Sequence, residues 1–348
     1  MHRLAGGDAP TNAAGDAESG RQQAAPGPRR VTFSPAARNP EKKETPMLDR
    51  TLRFALLAAA TTVLVLGLAD PALARNAEVS IDSSGSEQGC AGLRVRFDGE
   101  TAVKAEQSLS VPGGTPLRLH APDSSALRVT GWDRTDFEIT ACKAARDAAT
   151  LSRISVSAPK GVVSVSGVVE DEAVVYFYVK APKGAVLDLA AENGPMTLRD
   201  LDGTVTARLE NGPLSLSGVH GAVDVEATNG PVSFKDGSGD WTVRVTNGPL
   251  SAHFAGTRWE GKGLVAETVN GPLTVSLDPR FASGLRVSAA SHTPFRCRAA
   301  ACSGARRTFG GEDGDGDRSV EIGAGEPVVR LSTVNGPVTI RDDASGAD

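Results

Sequence analysis

Aromatic residues are scarce, with 10 Phe, 3 Trp and 2 Tyr in 348 residues, which argues against a pocket lined mainly by rings. No block of basic residues stands anywhere and the formal net charge is −5. That argues against a nucleic-acid binder, whose affinity comes from neutralising phosphates. Glycine shows no three-residue period, so collagen is excluded too. Hydrolase and nucleotide-binding signatures are missing: no G-x-S-x-G, H-E-x-x-H or Walker loop occurs. Ser157-Ala158-Pro159-Lys160 spells S-x-x-K, but that motif needs a helix to return Lys over Ser, and Pro159 denies one. What the chain does have is Ala, Val and Leu with 39 Gly and 21 Pro, the composition of many short strands joined by turns.

From Met47 the sequence carries the three parts of a secretory signal. Arg50 and Arg53 make the positive end, Phe54 to Leu68 an apolar run, and Ala72-Leu73-Ala74 a small-x-small cleavage site. The run is shorter than the roughly 20 residues a membrane-spanning helix needs. It is also interrupted by Gly67 and stopped by Asp70 and Pro71, so no retained transmembrane helix is expected. Residues 1–46 show no hydrophobic period and are expected to be disordered, with Met47 as the true start. Residues 47–74 are read as the signal peptide, which gives an exported protein, periplasmic or at the cell surface. All four cysteines (Cys90, Cys142, Cys297 and Cys302) follow the cleavage site, in a compartment where disulfides persist. Sequence proximity favours Cys297 with Cys302, leaving Cys90 with Cys142; the C-x4-C spacing without a second close pair is poor for zinc.

The dominant signal is a repeat. Asn-Gly-Pro begins at Asn193, Asn211, Asn229, Asn247, Asn270 and Asn335, and the first four are 18 residues apart. A fixed period of this size marks stacked units, each too small to bury its own apolar face. Within one unit, Leu214-x-Leu216 and Val223-x-Val225-x-Ala227 alternate with period two, the pattern of strands with one buried side. Equal slots returning in the same direction give parallel strands about 4.8 Å apart. The expected fold is therefore all-β: a single parallel β-solenoid, β-helix or β-roll-like, with 18-residue two-strand coils over 151–341. An irregular N-terminal β cap is expected over 75–150 and a frayed tail over 342–348.

At each corner Asn and Gly tolerate positive φ and Pro opens the next strand, where a missing N–H does least harm. The six Asn side chains are expected to form a ladder, each amide bonding to the next coil. Thr197, Ser215, Ser233, Ser251, Thr274 and Thr339 each stand two residues after a corner Pro, and Arg208, Glu226, Arg244 and Glu267 three residues before an Asn. Such columns predict outward files of hydroxyls and of alternating charge. Ile154-x-Val156 and Val175-x-Phe177-x-Val179, each before a Pro-Lys-Gly, read as earlier coils, and Leu285-x-Val287 and Val329-x-Leu331-x-Thr333 as later ones around an insertion.

The Asn-Gly corners and the closing run from Gly323 to Gly336 (GAGEPVVRLSTVNG) resemble the exported bacterial family named "putative adhesin" over roughly residues 150 to 341. That resemblance implies a β-solenoid without established catalytic residues. Pro after nearly every Asn-Gly departs from the polar residue many relatives would have there.

Few residues suggest chemistry. His120, His220, His253 and His292 are far apart, so no shared metal site follows, and no cofactor is expected. The acidic run Glu312 to Asp317 imitates the start of a calcium loop, but Arg318 and Ala324 stand where Gly and Glu are needed. Glu192 and Glu210 should stack on neighbouring coils, an arrangement that could serve a polysaccharide-acting enzyme. Tyr176 and Tyr178 lie on one side of a strand and could stack on sugar rings, though ordinary surface aromatics are the simpler reading. The function expected is a non-enzymatic envelope or surface protein that contacts glycans or other proteins; the alternative is the enzyme with a carboxylate-bearing face.

Overall fold

A computed structural model of the chain describes residues 31–33, 79–82, 86–308 and 317–343. Within these the protein is all-β apart from one short α-helix, Ala148–Arg153, and brief 3-10 segments. There are two large sheets, of 12 and 11 strands, and a small antiparallel one of four. The two large sheets share one apolar core, to which each contributes alternate residues.

The repeat becomes two stacks of parallel strands. Ala185–Asn193, Asp202–Asn211, His220–Asn229, Ser238–Asn247 and Gly263–Asn270 are successive neighbours in the 12-stranded sheet, with Asn opposite Asn throughout. The short strands that follow each corner, Met196–Arg199, Leu214–Ser217, Val232–Lys235, Leu250–Phe254 and Leu273–Leu277, stack likewise in the 11-stranded sheet. Because side chains alternate, this register sends Val205, Ala207 and Leu209, then Val223, Val225 and Ala227, then Trp241, Val243 and Val245 into the core. Burying one Val or Leu side chain contributes about 1.5–3 kcal/mol, so a one-residue slip would forfeit most of a coil's stability.

Glycine is required at the corner by close approach as well as by torsion. Gly212, Gly230 and Gly248 have φ of 144°, 140° and 159°, and a Cβ on any of them would collide with the carbonyl of the corner glycine one coil earlier. The N–H groups of Gly194, Gly212, Gly230 and Gly248 each donate to the Asn carbonyl of the following coil at 2.9 Å. The corner is thus a continuation of the ladder.

The sheets are mixed where a purely parallel stack was expected. Ser155–Ser157 pairs antiparallel with Val162–Ser166, and Ala173–Pro182 lies antiparallel to Asp136–Ala145 and parallel to Ala126–Trp132. Residues 154–179 are therefore not earlier coils in sequence order. The strands stacked directly before Ala185–Asn193 and Met196–Arg199 are Leu117–His120 and Ala126–Trp132. Strands from both sides of residue 150 share both sheets. The cause is a hairpin-like return: Val103–Pro112 and Asp136–Ala145 run antiparallel over ten residues, and the chain comes back alongside them.

The far end departs from sequence order too. Ala324–Asn335 inserts between Gly263–Asn270 and Ser283–Ala289, and Val338–Asp342 between Leu273–Leu277 and Phe295–Cys297. The last Asn-Gly-Pro thereby continues directly from the fifth. Leu285 and Val287 belong to the strand beyond it, where Ser291-His292-Thr293-Pro294 replaces the Asn-Gly-Pro corner.

In the segment 1–46 the described residues are Val31–Phe33, a strand pairing antiparallel with Val79–Asp82. The signal segment 47–74 and the acidic residues 312–316 lie outside the described residues.

Candidate functional site

The strands before the regular coils carry a second, smaller core on the outside of the 11-stranded sheet. Leu93, Val95, Phe97 and Ala102 pack there against Ala126, Cys142, Ala144, Val174 and Tyr176. Ala173–Pro182 reads AVVYFYVKAP, apolar on both parities, because it is covered on both faces. Tyr176 is accordingly buried, at 4% exposed, a correction to the expectation of a surface aromatic. Tyr178 is half-buried, its ring stacked on that of Tyr176 with centroids 4.8 Å apart, and its hydroxyl donates to the Gly89 carbonyl at 3.3 Å.

Beside this core an open cavity of about 780 Å³ lies against the sheet. Cross-strand register builds it. Tyr178 stands opposite Arg128 and Thr140, Lys180 opposite Thr130 and Glu138, and Arg199 opposite Thr130 on the other side. Gly89, Cys90 and Ala91 close one wall, held to the sheet by the disulfide Cys90–Cys142 (Cα–Cα 5.4 Å). At the other end is Trp132, whose indole N–H donates to the Asp136 carbonyl at 2.8 Å. Arg134 and Lys180 lie over its ring at 4.6 and 5.2 Å.

Electrostatics distinguish the cations of this cavity. Lys180 pairs with Glu138 at 2.8 Å. The Nε of Arg128 is buried and has no hydrogen-bond partner, and no carboxylate among the described residues pairs with that guanidinium. Arg128 favours the ionised form of both tyrosines, but burial dominates and raises them, Tyr178 to about 12. Both hydroxyls therefore stay protonated at physiological pH, that of Tyr178 donating to Gly89 and that of Tyr176 accepting from the Arg128 guanidinium.

The six corner asparagines form an unbroken amide chain. Asn211 Nδ2 donates to Asn193 Oδ1 at 2.9 Å, Asn229 to Asn211 at 2.9 Å and Asn247 to Asn229 at 3.0 Å. Asn270 donates to Asn247 and Asn335 to Asn270, each at 2.9 Å. All donors point the same way, and Asn193 ends the chain on the Asp123 carboxylate. A charged acceptor at the end of aligned amides polarises each bond in the same sense. The second disulfide joins Cys297 and Cys302.

Outward columns follow the same register. Arg208 lies 3.3 Å from Glu226 and Arg244 3.8 Å from Glu267, with Asp224 at 3.5 Å from Arg244. Glu192 and Glu210 are exposed and neither lines the cavity. His220 bonds with Ser238 at 2.7 Å and His253 with Asp343 at 2.9 Å. Among the described residues no three His, Cys, Asp or Glu come together as a metal would require. Ser157 ends a strand, and Lys160 lies in a turn at φ 52°. Among the described residues no helix is long and apolar enough to cross a membrane.

Sequence reasoning missed Arg128, Trp132, Lys180 and Arg199. The signal that could have found them is the two-sided apolar run around Tyr176, which says that something packs outside the sheet at that point.

No protein-family model matches the chain, and no curated protein matches it. Among solved structures it is similar to a "putative cell adhesion protein" from Clostridium sporogenes (10% identity, TM-score 0.27, covering 70% of this chain and 100% of that one). It is also similar to a "putative adhesin" from Bacteroides fragilis (11% identity, TM-score 0.26, 69% of this chain and 97% of that one). A "putative adhesin" from Parabacteroides distasonis is similar at 10% identity and TM-score 0.27, over 68% of this chain and 97% of that one.

Proposed function

We propose that the chain is an exported, non-enzymatic β-solenoid that presents one rigid face to glycans or other molecules of the cell envelope or surface. The observation that carries this reading is the file of hydroxyls on the 11-stranded sheet. Thr197, Ser215, Ser233, Ser251, Thr274 and Thr339 stand opposite one another in register, and the file starts at Arg128 in the cavity. Stacked coils fix such a row to the strand spacing of about 4.8 Å, so its donors and acceptors need no ordering when a ligand binds. Two disulfides are compatible with an exported protein.

The test is to incubate the purified protein with isolated cell-envelope material and measure retention and new reducing ends in the same samples. Retention without release of reducing ends is expected. Release that disappears in Glu192→Gln or Glu210→Gln would replace this reading with the polysaccharide-acting enzyme.

A further inference from the structure

The six corners carry the same Asn-Gly pair, and five of them are clamped by the coil that follows. The N–H groups of Gly194, Gly212, Gly230 and Gly248 each donate to the carbonyl of the next Asn at 2.9 Å, and that of Gly271 does so at 3.0 Å. The side chains of Asn193, Asn211, Asn229, Asn247 and Asn270 are each held twice, Nδ2 donating to one side and Oδ1 accepting from the other.

The corner at Asn335 lacks both restraints. Beyond it the stack runs into Ser291-His292-Thr293-Pro294, where the Thr293 N–H and hydroxyl turn back onto the Ala290 carbonyl at 3.1 and 2.9 Å. The ladder resumes only at Val338, whose N–H donates to the Pro294 carbonyl at 2.8 Å. In between, the Gly336 N–H finds no acceptor and Asn335 Oδ1 no donor among the described residues; the Asn335 side chain keeps one bond, to Asn270. Exposure does not set this corner apart, since Asn229, Asn247 and Asn270 are exposed as well.

An Asn followed by Gly is open to attack by the glycine nitrogen on the side-chain amide, because no Cβ obstructs the approach. The Gly336 nitrogen gives its proton to solvent base and attacks Asn335 Cγ. An N–Cγ bond forms, the Cγ–Nδ2 bond breaks, and Nδ2 leaves as ammonia. Water then opens the five-membered imide. Opening at Cγ leaves aspartate; opening at the main-chain carbonyl leaves isoaspartate, which routes the chain through the former side chain and lengthens it by one carbon. In the clamped corners the attacking N–H is tied to a carbonyl and the amide is held on both sides. At Asn335 only the bond to Asn270 has to break.

We propose that Asn335 is a site of spontaneous deamidation in the folded protein, and that the stack protects the other five corners. The change removes the donor that Asn335 gives to Asn270 and puts a negative charge at the open end of the amide chain. It falls on the link between Ala324–Asn335 and Val338–Asp342, the two strands inserted out of sequence order.

The purified full chain, with both disulfides formed, is held for days in mildly alkaline and in mildly acidic buffer. Peptide mapping by tandem mass spectrometry then reads amide-to-acid conversion at each corner. Two further hydrogen bonds at their usual net worth separate the corners, so Asn335 is expected to convert at least about tenfold faster than any other. Conversion should be faster in alkali, because the attacking nitrogen must lose its proton. In urea with both disulfides reduced, the six corners should convert at similar rates. Asn335→Gln, which would need a six-membered ring, should leave position 335 unconverted. An internal corner converting as fast as Asn335 in the folded chain overturns the proposal, as does an Asn335 that stays intact while the unfolded chain converts. A lead for Asn335 that persists undiminished in urea would mean that sequence, not the end of the stack, selects it, and overturns the proposal too.

Discussion

The coils between Ala185 and Leu277 and the strands between Val103 and Pro182 use the same alternating apolar residues, yet they satisfy their polar groups in different ways. In the coils each group finds its own copy one coil away: Asn bonds to Asn, and a glycine N–H to the next Asn carbonyl. Before the coils begin no copy exists, and every partner has to be of another kind. Among the described residues the two buried side-chain polar atoms without a hydrogen-bond partner are Arg128 Nε and Asp188 Oδ1, the latter with His120 and Arg208 at 3.7 Å, and both lie where the two regions meet. Translation symmetry leaves little unsatisfied and so little to offer a ligand in depth. Its interruption makes the cavity.

The sharpest way to break this comparison is at a glycine. Gly230→Ala puts a Cβ into the Gly212 carbonyl at φ 140°, and a cost of about 4 kcal/mol or more is expected. Gly184→Ala, at φ 71° with nothing within 4 Å, should cost only about 1–2 kcal/mol. Urea unfolding measures both; equal costs would mean that torsion alone, not the stacking of corners, requires the coil glycine. Next in size is the Cys90–Cys142 disulfide, which joins residues 52 apart. Replacing both cysteines with Ser should cost about 2–5 kcal/mol. Hydrogen exchange should show protection lost between Val103 and Pro182 and kept in the coils; a uniform loss would mean the two regions unfold as one. Smaller again is the amide chain. Asn229→Ala removes a donor and an acceptor and should cost about 1–2 kcal/mol, whereas Asn335→Ala, at the end of the chain, should cost roughly half as much, because only one bond goes.

The regular half was legible in the sequence because its period is local. The 18-residue spacing fixes which residues stand opposite each other, and parity then fixes which face inward, as Val223, Val225 and Ala227 do. Spatial order at the two ends was not legible. A parallel strand carries the same alternation whichever neighbour it joins, so nothing near Val329 or Leu331 says that this strand slides in beside Leu264 and Ala266 instead of following Leu285. Nor does Leu127-x-Val129 announce that it begins the stack. Of the candidate site, the hydroxyl file was readable from the corners, but the cavity was not. Arg128, Lys180 and Arg199 converge only through pairings between strands that are distant in sequence, and Tyr176 is buried by residues more than 70 positions away.

Acid sharpens the junction at the smallest scale. Burial alone would raise the Asp188 carboxyl, but the hydrogen bond from Arg118 and the charges of His120 and Arg118 outweigh it and hold it below the usual carboxylate range. A carboxylate whose folded pKa is depressed contributes stability that is present above its unfolded pKa, about 3.9, and lost as pH falls through the folded value. The urea midpoint should therefore fall as pH is lowered from about 5 to about 3. Asp188→Asn should be less stable than the natural chain near neutrality by no more than about 1 kcal/mol, and that gap should close in acid. In the regular coils Glu226→Gln should cost still less near neutrality, since its pair with Arg208 is exposed on both sides. A cost at neutrality as large for Glu226 as for Asp188 would mean that the coils and their junction hold their charges alike, and that the half-buried Asp188 carboxylate does not mark a special site.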